Sequence, residues 1–177
     1  MKVKPLKNSV KTLNQESLYR LAIRYVERYA TTRKKLADYL HRKIGEREWQ
    51  DAAPAAVEEL VERFADLGYI DDALYAQTKA ASLTRRGYGI RRVSQALYQA
   101  GISETDGREA FHASETNKWA AADKFARKRK VGPYAETEQD PDKRHKQLQA
   151  FMRAGHDFDL ASRFVFAKPG ADLTEED

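Results

Sequence analysis

Residues 68–102 read GYIDDALYAQTKAASLTRRGYGIRRVSQALYQAGI, two apolar-periodic segments joined by a turn in which four arginines flank Gly-Tyr-Gly. Asp71 suits the cap of a helix running to about Arg86, with Ala76, Ala80 and Leu83 on one side. Val93, Ala96, Leu97 and Ala100 form the stripe of a second helix, which Gly101 stops. Ser103 can cap a third, weaker helix through Ala110 and Phe111, with Gly107 inside it. Three short helices with no alternating strand pattern read as one all-α unit.

The same pattern repeats on both sides. Upstream, Leu18, Leu21, Ala22, Tyr25 and Val26 share one helical face, and Thr32 caps a second helix carrying Leu36, Tyr39 and Leu40. Pro54 suits the first turn of a third, whose apolar face is Val57, Leu60, Val61 and Phe64, ended by Gly68. Downstream, a third cycle opens near Ser114 and Thr116 and runs through Trp119, Ala122 and Phe125 into KFARKRK. VGPYAETEQDPD is a loop; helices with Leu148, Phe151 and Met152, then Leu160, Ala161, Phe164 and Val165, complete the cycle. RVSQALYQAGI and QLQAFMRAGHDF look like one unit reused about fifty-five residues apart. Short helical triads bury too little surface alone, so neighbouring triads should pack together. The expected fold is all-α: tandem three-helix repeat modules in an elongated, curved array. The expected boundaries are a flexible basic arm over 1–16, modules over 17–68, 69–113 (with the basic turn) and 114–167, and a frayed acidic tail over 168–177.

The chain has 177 residues and carries 32 lysines and arginines against 27 acidic residues, a net charge of +5. That balance favours nucleic acid or an acidic protein surface as partner. The absence of cysteine removes disulfides and thiolate sites and fits a reducing compartment. No apolar run reaches signal-peptide or membrane-spanning length, so the expectation is a cytoplasmic protein that does not enter a membrane.

The chemistry gathers at the arginine turn. Arg85 and Arg86 end one helix, where cations suit the negative end of the dipole; Arg91 and Arg92 begin the next, where positive charge opposes it. Helix stability alone would not select the second pair, so the turn reads as a binding element. Gly87 and Gly89 permit the reversal, and Tyr88 is expected to project at its tip. Arginine forks donate bidentately to phosphate or carboxylate, and a tyrosine ring can stack on a base. A second cluster is Lys124, Arg127, Lys128, Arg129 and Lys130, of which Lys124, Arg127 and Lys128 share a helical face. A third, Arg33, Lys34 and Lys35 with Arg42 and Lys43, flanks one helix. Six side chains on single-stranded phosphates would give a logarithmic salt slope of roughly −4. Glu58, Glu59, Glu62, Asp66, Asp71 and Asp72 gather ahead of the turn, as a solvated face with a cap or as a patch for basic loops.

Gly68, Tyr69, Ile70, Asp71 and Asp72, then the arginine turn, then Gly101 and Ile102 make a pattern that resembles the RecX family, regulators of the RecA recombinase. The resemblance is strong over 68–102 and extends weakly over roughly 17–166. Three positions depart from it: Ile90 stands where the family often has proline, His156 where it usually has an aromatic, and GEREWQDAA (45–53) is a longer or altered link. The resemblance implies a protein that sits in the groove of RecA-type recombinase filaments, and the chain is expected to be non-enzymatic and monomeric. It would inhibit their ATPase and strand exchange in DNA repair and recombination, with single-stranded DNA as a further contact inside the filament. A different class fits the basic charge equally: a sequence-independent DNA-binding helical module acting without a recombinase.

Other chemistries find no pattern. His41, His112, His145 and His156 lack metal-site spacing, and the Gly-x-Gly of the turn follows no strand and lacks the third glycine of a dinucleotide loop. Asp71 and Asp72 are adjacent and do not face each other on a helix. No catalytic residue, metal or cofactor is expected.

Overall fold

The computed structural model describes residues 12–175. Residues 1–11 of the expected basic arm, and 176–177 of the acidic tail, lie outside them. The chain divides into two compact units, Met1–Asp72 and Ala73–Asp177.

The first unit is built on α1 (Gln15–Arg28), α2 (Arg33–Gly45) and α3 (Val57–Asp66). Asn14 caps α1 by accepting from the Ser17 amide at 2.9 Å, while the Ser17 hydroxyl accepts from the Asn14 amide at 2.9 Å. Thr32 accepts from the Lys35 amide at 3.2 Å and starts α2 as expected. The stripes converge on a core that includes Leu18, Ala22, Leu36, Leu40, Val61 and Phe64, all buried.

Two expectations are corrected here. Thr12–Leu13 (β1) lies parallel to Glu48–Trp49 (β2), pairing Thr12 with Glu48 and Leu13 with Trp49. Leu13 is buried, so the end of the expected arm belongs to the core. Strands of two residues are too short to leave a periodic signal. Pro54 also stands outside α3, which begins at Val57 after Ala56, a cap without a side-chain bond. The chain before it is committed elsewhere: the Gln50 amide donates to Leu13 O at 2.9 Å, Asp51 accepts from the Gln15 amide at 2.7 Å, and Trp49 Nε1 donates to Ala53 O at 2.8 Å.

The second unit holds α4 (Asp72–Arg85, whose first residue closes the first unit), α5 (Ile90–Gln99) and α6 (Glu104–Thr116). It continues with α7 (Lys118–Arg129), a 3-10 turn at Gly132–Tyr134, α8 (Pro141–Ala154) and α9 (Phe158–Phe166). Ser103, Asp140 and Asp157 cap α6, α8 and α9 through the amides of Asp106, Lys143 and Leu160. Helix α6 outruns its expected end, and Ser114 and Thr116 do not open a new helix. Their hydroxyls donate back to Ala110 O at 2.8 Å and His112 O at 3.0 Å, so the helix keeps them, and α7 starts after Asn117. The tail is not wholly frayed either: Leu173 packs on the core, and Arg163 Nη2 donates to Thr174 O at 2.6 Å. No helix of the described residues is long and apolar enough to cross a membrane.

One cluster of this unit centres on Ala76, Ala80, Val93, Leu97, Ile102 and Ala110; another centres on Phe125, Ala126, Phe151, Ala161, Phe164 and Val165. Tyr88 is half-buried and packs against both, a correction to the expectation that it projects from the turn. Its ring is drawn inward because the turn is pressed onto the end of α8. The Gly89 amide donates to Ala154 O at 3.0 Å and the Arg91 amide to Gly155 O at 3.1 Å. A Cβ on Gly89 would stand 2.3 Å from Gly155 O, and one on Gly155 would stand 2.4 Å from the Arg92 amide nitrogen. Gly155 also has φ of 94°, the left-handed end of α8. The glycine-to-glycine contact is therefore a condition of the packing.

His156 secures the same junction. It is 2 % exposed, lies 5.5 Å from the Phe125 ring and 5.3 Å from the Phe151 ring, and faces Gly87 O across 3.1 Å from Nε2. That geometry fixes the hydrogen on Nε2, which donates to the carbonyl, and leaves Nδ1 unprotonated against the core. Burial lowers its pKa from the usual 6.5, partly opposed by the Gly87 bond and by Asp157. An imidazole thus fills an aromatic position and adds a bond to the arginine turn.

Two outcomes test the junction. Gly89→Ala is expected to lose about 2–3 kcal/mol in urea unfolding, because its Cβ meets backbone that has nowhere to go. Gly45→Ala, with open space around its Cβ, should stay within about 1 kcal/mol of wild type. A folded-state pKa lowered below 6.5 means the unfolded chain binds more protons in between. Stability should therefore be full above pH 6.5 and fall as pH drops from there towards the folded pKa. His156→Phe should lose that slope in urea midpoints measured between pH 7.5 and 5, with the rest of the acid profile unchanged.

Candidate functional site

The helices of the second unit bring three C-terminal ends together. Arg86 follows α4, Lys128 and Arg129 lie in the last turn of α7, and Arg153 lies in the last turn of α8. These four cations line one recess of about 190 Å³, floored by Tyr88, Phe125, Ala150 and Ala154. Arg129, Ala150 and Arg153 also line an adjoining recess of about 420 Å³, together with Val131, Lys143, Lys146 and Gln147. The two form one groove along α8 that carries six cations and no carboxylate in its lining.

Local physics explains how so much like charge is tolerated. The negative ends of three helix dipoles face it, each offsetting a cation by roughly 0.3–1 kcal/mol. The guanidiniums also rest on rings: Arg86 lies 5.3 Å from the Tyr88 centroid and Arg129 lies 5.0 Å from that of Phe125. Such contacts hold the stems down while leaving the donor edges to solvent. The groove can therefore take an extended anion, phosphodiester or carboxylate, along its length.

The expected site residues separate. Arg86, Tyr88, Lys128 and Arg129 come together in the groove. Arg85, one residue before Arg86, instead lines a recess of about 440 Å³ with Gln77, Thr84, Glu109 and Asn117. Arg91 and Arg92 are exposed at the start of α5, their backbone against Gly155 and so two residues from Arg153; Arg92 donates to Gln95 Oε1 at 3.4 Å. Lys124 is exposed on α7 but lines neither part of the groove.

Arg127 and Lys130 are turned to carboxylates. Arg127 Nε pairs with Asp123 at 2.8 Å and its guanidinium lies 4.4 Å from the Tyr134 ring centroid, while the Tyr134 hydroxyl donates to Asp123. Lys130 pairs with Glu136 at 2.6 Å. Bonding to Asp123 raises the Arg127 pKa, and bonding to Glu136 raises that of Lys130. Lys130 also adopts the left-handed conformation that ends α7, with φ of 53°. In the first unit Arg33 is likewise engaged, with Glu62 at 3.3 Å and the buried Asp72 at 3.4 Å. Its amide also donates to Asp72 at 3.0 Å.

Sequence reading missed Arg153, Lys146 and Lys143. The signal was present: Lys143, Lys146, Ala150 and Arg153 fall at i, i+3, i+7 and i+10, one stripe of α8 beside the apolar stripe.

The comparisons agree with this architecture. The family model described as "RecX, second three-helix domain" matches residues 71–110. The regulatory protein RecX of Agrobacterium fabrum is 33 % identical over 167 residues, 92 % of this chain and 86 % of that protein. The regulatory protein RecX of Myxococcus xanthus is 32 % identical over 159 residues, 84 % of this chain and 83 % of that protein. Among solved structures, RecX from Lactobacillus salivarius superposes with a TM-score of 0.61 at 19 % identity, covering 84 % of this chain and 92 % of that one. A second, described as regulatory protein RecX, gives 0.65 at 20 % identity, covering 85 % and 72 %. Likeness at such identities speaks to the fold alone, and the fold is helical in all three. With the sequence identity spread over nearly its whole length, the chain belongs to the RecX family.

Proposed function

We propose that this chain is a non-enzymatic regulator that binds RecA-type recombinase filaments through the groove along α8 and inhibits their ATP hydrolysis and strand exchange. The observation that carries the reading is the groove itself: six cations, no lining carboxylate, and a floor too shallow to enclose a substrate. Such a surface suits contact with a polymer that repeats its charge. The names of the relatives as regulatory proteins point the same way. Arg86, Lys128, Arg129 and Arg153 are the central contacts, and Arg91 and Arg92 continue the basic surface from the start of α5. Arg127 and Lys130, held by Asp123 and Glu136, contribute less. The chain acts as a monomer in the cytoplasm.

The test is the DNA-dependent ATPase of a purified recombinase, with this protein added far below the concentration of DNA sites. Inhibition at such ratios is expected, because a regulator that occupies filament ends or neighbouring protomers acts on more than one protomer. Inhibition that sets in only when free DNA is saturated would mean that the protein acts as a plain DNA-binding module. Arg129→Glu with Arg153→Glu should raise the half-inhibiting concentration at least tenfold without a change in circular dichroism. Arg127→Glu should raise it less than threefold.

A further inference from the structure

The first unit carries its own assembly of aromatic and cationic groups, which takes in Arg42 of the third basic cluster. Helix α1 ends in Tyr25, Arg28 and Tyr29, and Tyr39 of α2 stacks on Tyr25 with centroids 4.3 Å apart and planes 20° from parallel. Tyr29 lies 5.3 Å from Tyr25 with its plane tilted by 52°, carries the Arg28 guanidinium 5.4 Å from its centroid and is 49 % exposed, so the outer ring of the cluster opens to solvent. Around the cluster lies an open recess of about 430 Å³ whose lining adds Leu21, Arg24, Arg28 and Arg42. Its lining, too, holds no carboxylate.

Helix capping explains only part of this. Arg28 and Arg42 lie in last helical turns, where cations are favoured, and Arg42 reaches Glu46 at 3.6 Å. Arg24 lies a turn further in, where the dipole offers little, and it is exposed. Tyr29, outside the helix, meets Tyr25 at the edge of the core but leaves half of its surface in solvent. A ring cluster with one ring open to solvent, interleaved with arginines and free of lining acids, matches the chemistry of an unstacked strand: flat π-faces alternating with phosphates. An acidic peptide would use the arginines but gain nothing from the solvent-exposed part of the Tyr29 ring.

We infer that the recess between α1 and α2 is a stacking site for single-stranded nucleic acid, in which a base stacks on Tyr29 beside the Tyr25–Tyr39 pair and Arg24, Arg28 and Arg42 contact the flanking phosphates. The site stands on its own geometry and is independent of the groove along α8.

The test uses the full chain and a fluorescently labelled (dT)15, with an abasic strand of the same length as control, read by anisotropy. Tyr29→Ala should weaken (dT)15 binding roughly 5- to 150-fold, the range for loss of one stacked base, and leave abasic-strand affinity unchanged. Arg28→Ala should weaken both strands and reduce the logarithmic salt slope by about 0.7. Wild-type (dT)15 affinity in Tyr29→Ala, or an equal loss on both strands, overturns the stacking role. An unchanged Arg28→Ala overturns the phosphate role and stands even if the tyrosine variant fails to fold. Displacement of (dT)15 by polyglutamate as readily as by unlabelled (dT)15 would reassign the recess to acidic protein.

Discussion

The second unit depends on one close approach, in which the backbone of residues 87–92 lies directly on that of residues 154–156. Two inter-turn amide bonds and a histidine-to-carbonyl bond cross it, and both crossing points lack a Cβ. Because the approach is that close, Tyr88 falls between two apolar clusters and joins them. For the same reason, the residue following α4 and the last turn of α8 meet, which is what sets Arg86 beside Arg153. The basic groove is a consequence of how two helix ends are joined as much as of how many cations the chain carries.

Charge in this protein is sorted by partner. Arg33, Arg127 and Lys130 are held by Glu62 and Asp72, by Asp123, and by Glu136, and their work is local. Arg86 and Arg129 are steadied by rings, which take up the face of a guanidinium and leave its in-plane donors free. That difference divides a run such as KFARKRK, which looks uniform in sequence, into residues that hold the fold and residues that face outward.

Much of the architecture was legible because apolar periodicity and capping residues are local properties. The stripes through Leu18 and Ala22, through Val93 and Leu97 and through Phe164 and Val165 are all buried, and Thr32 and Ser103 cap the helices assigned to them. Where reading failed, the deciding interaction was distant in sequence or ambiguous in type. Leu13 pairs across to Trp49, which no window containing either residue reveals. Ser114 and Thr116 offered hydroxyls that could cap or back-bond, and the helix took the second option. The basic turn was recognised as a cluster, but it splits where α4 ends: Arg85 is the last residue of the helix, while Arg86 already belongs to the turn and faces the other recess. Two departures from the family pattern also acquire a physical meaning. Ile90 is the first residue of α5, where proline costs no helical bond and isoleucine is equally at home; His156 keeps the ring and adds a donor.

The form of the groove constrains how it can act. Its walls are side chains on helix ends, its floor offers few apolar anchors, and its cations are spread along a helix instead of converging on one point. A site of that kind gains little from any single contact, since an exposed ion pair contributes at most about 1 kcal/mol. Affinity then accumulates only when several contacts form at once, which a repeating polymer provides and a small molecule does not. It also means that occupancy follows ionic strength and the local density of repeats. Under the proposed function, such a surface would engage an assembled partner far more strongly than its separate subunits, without any moving part.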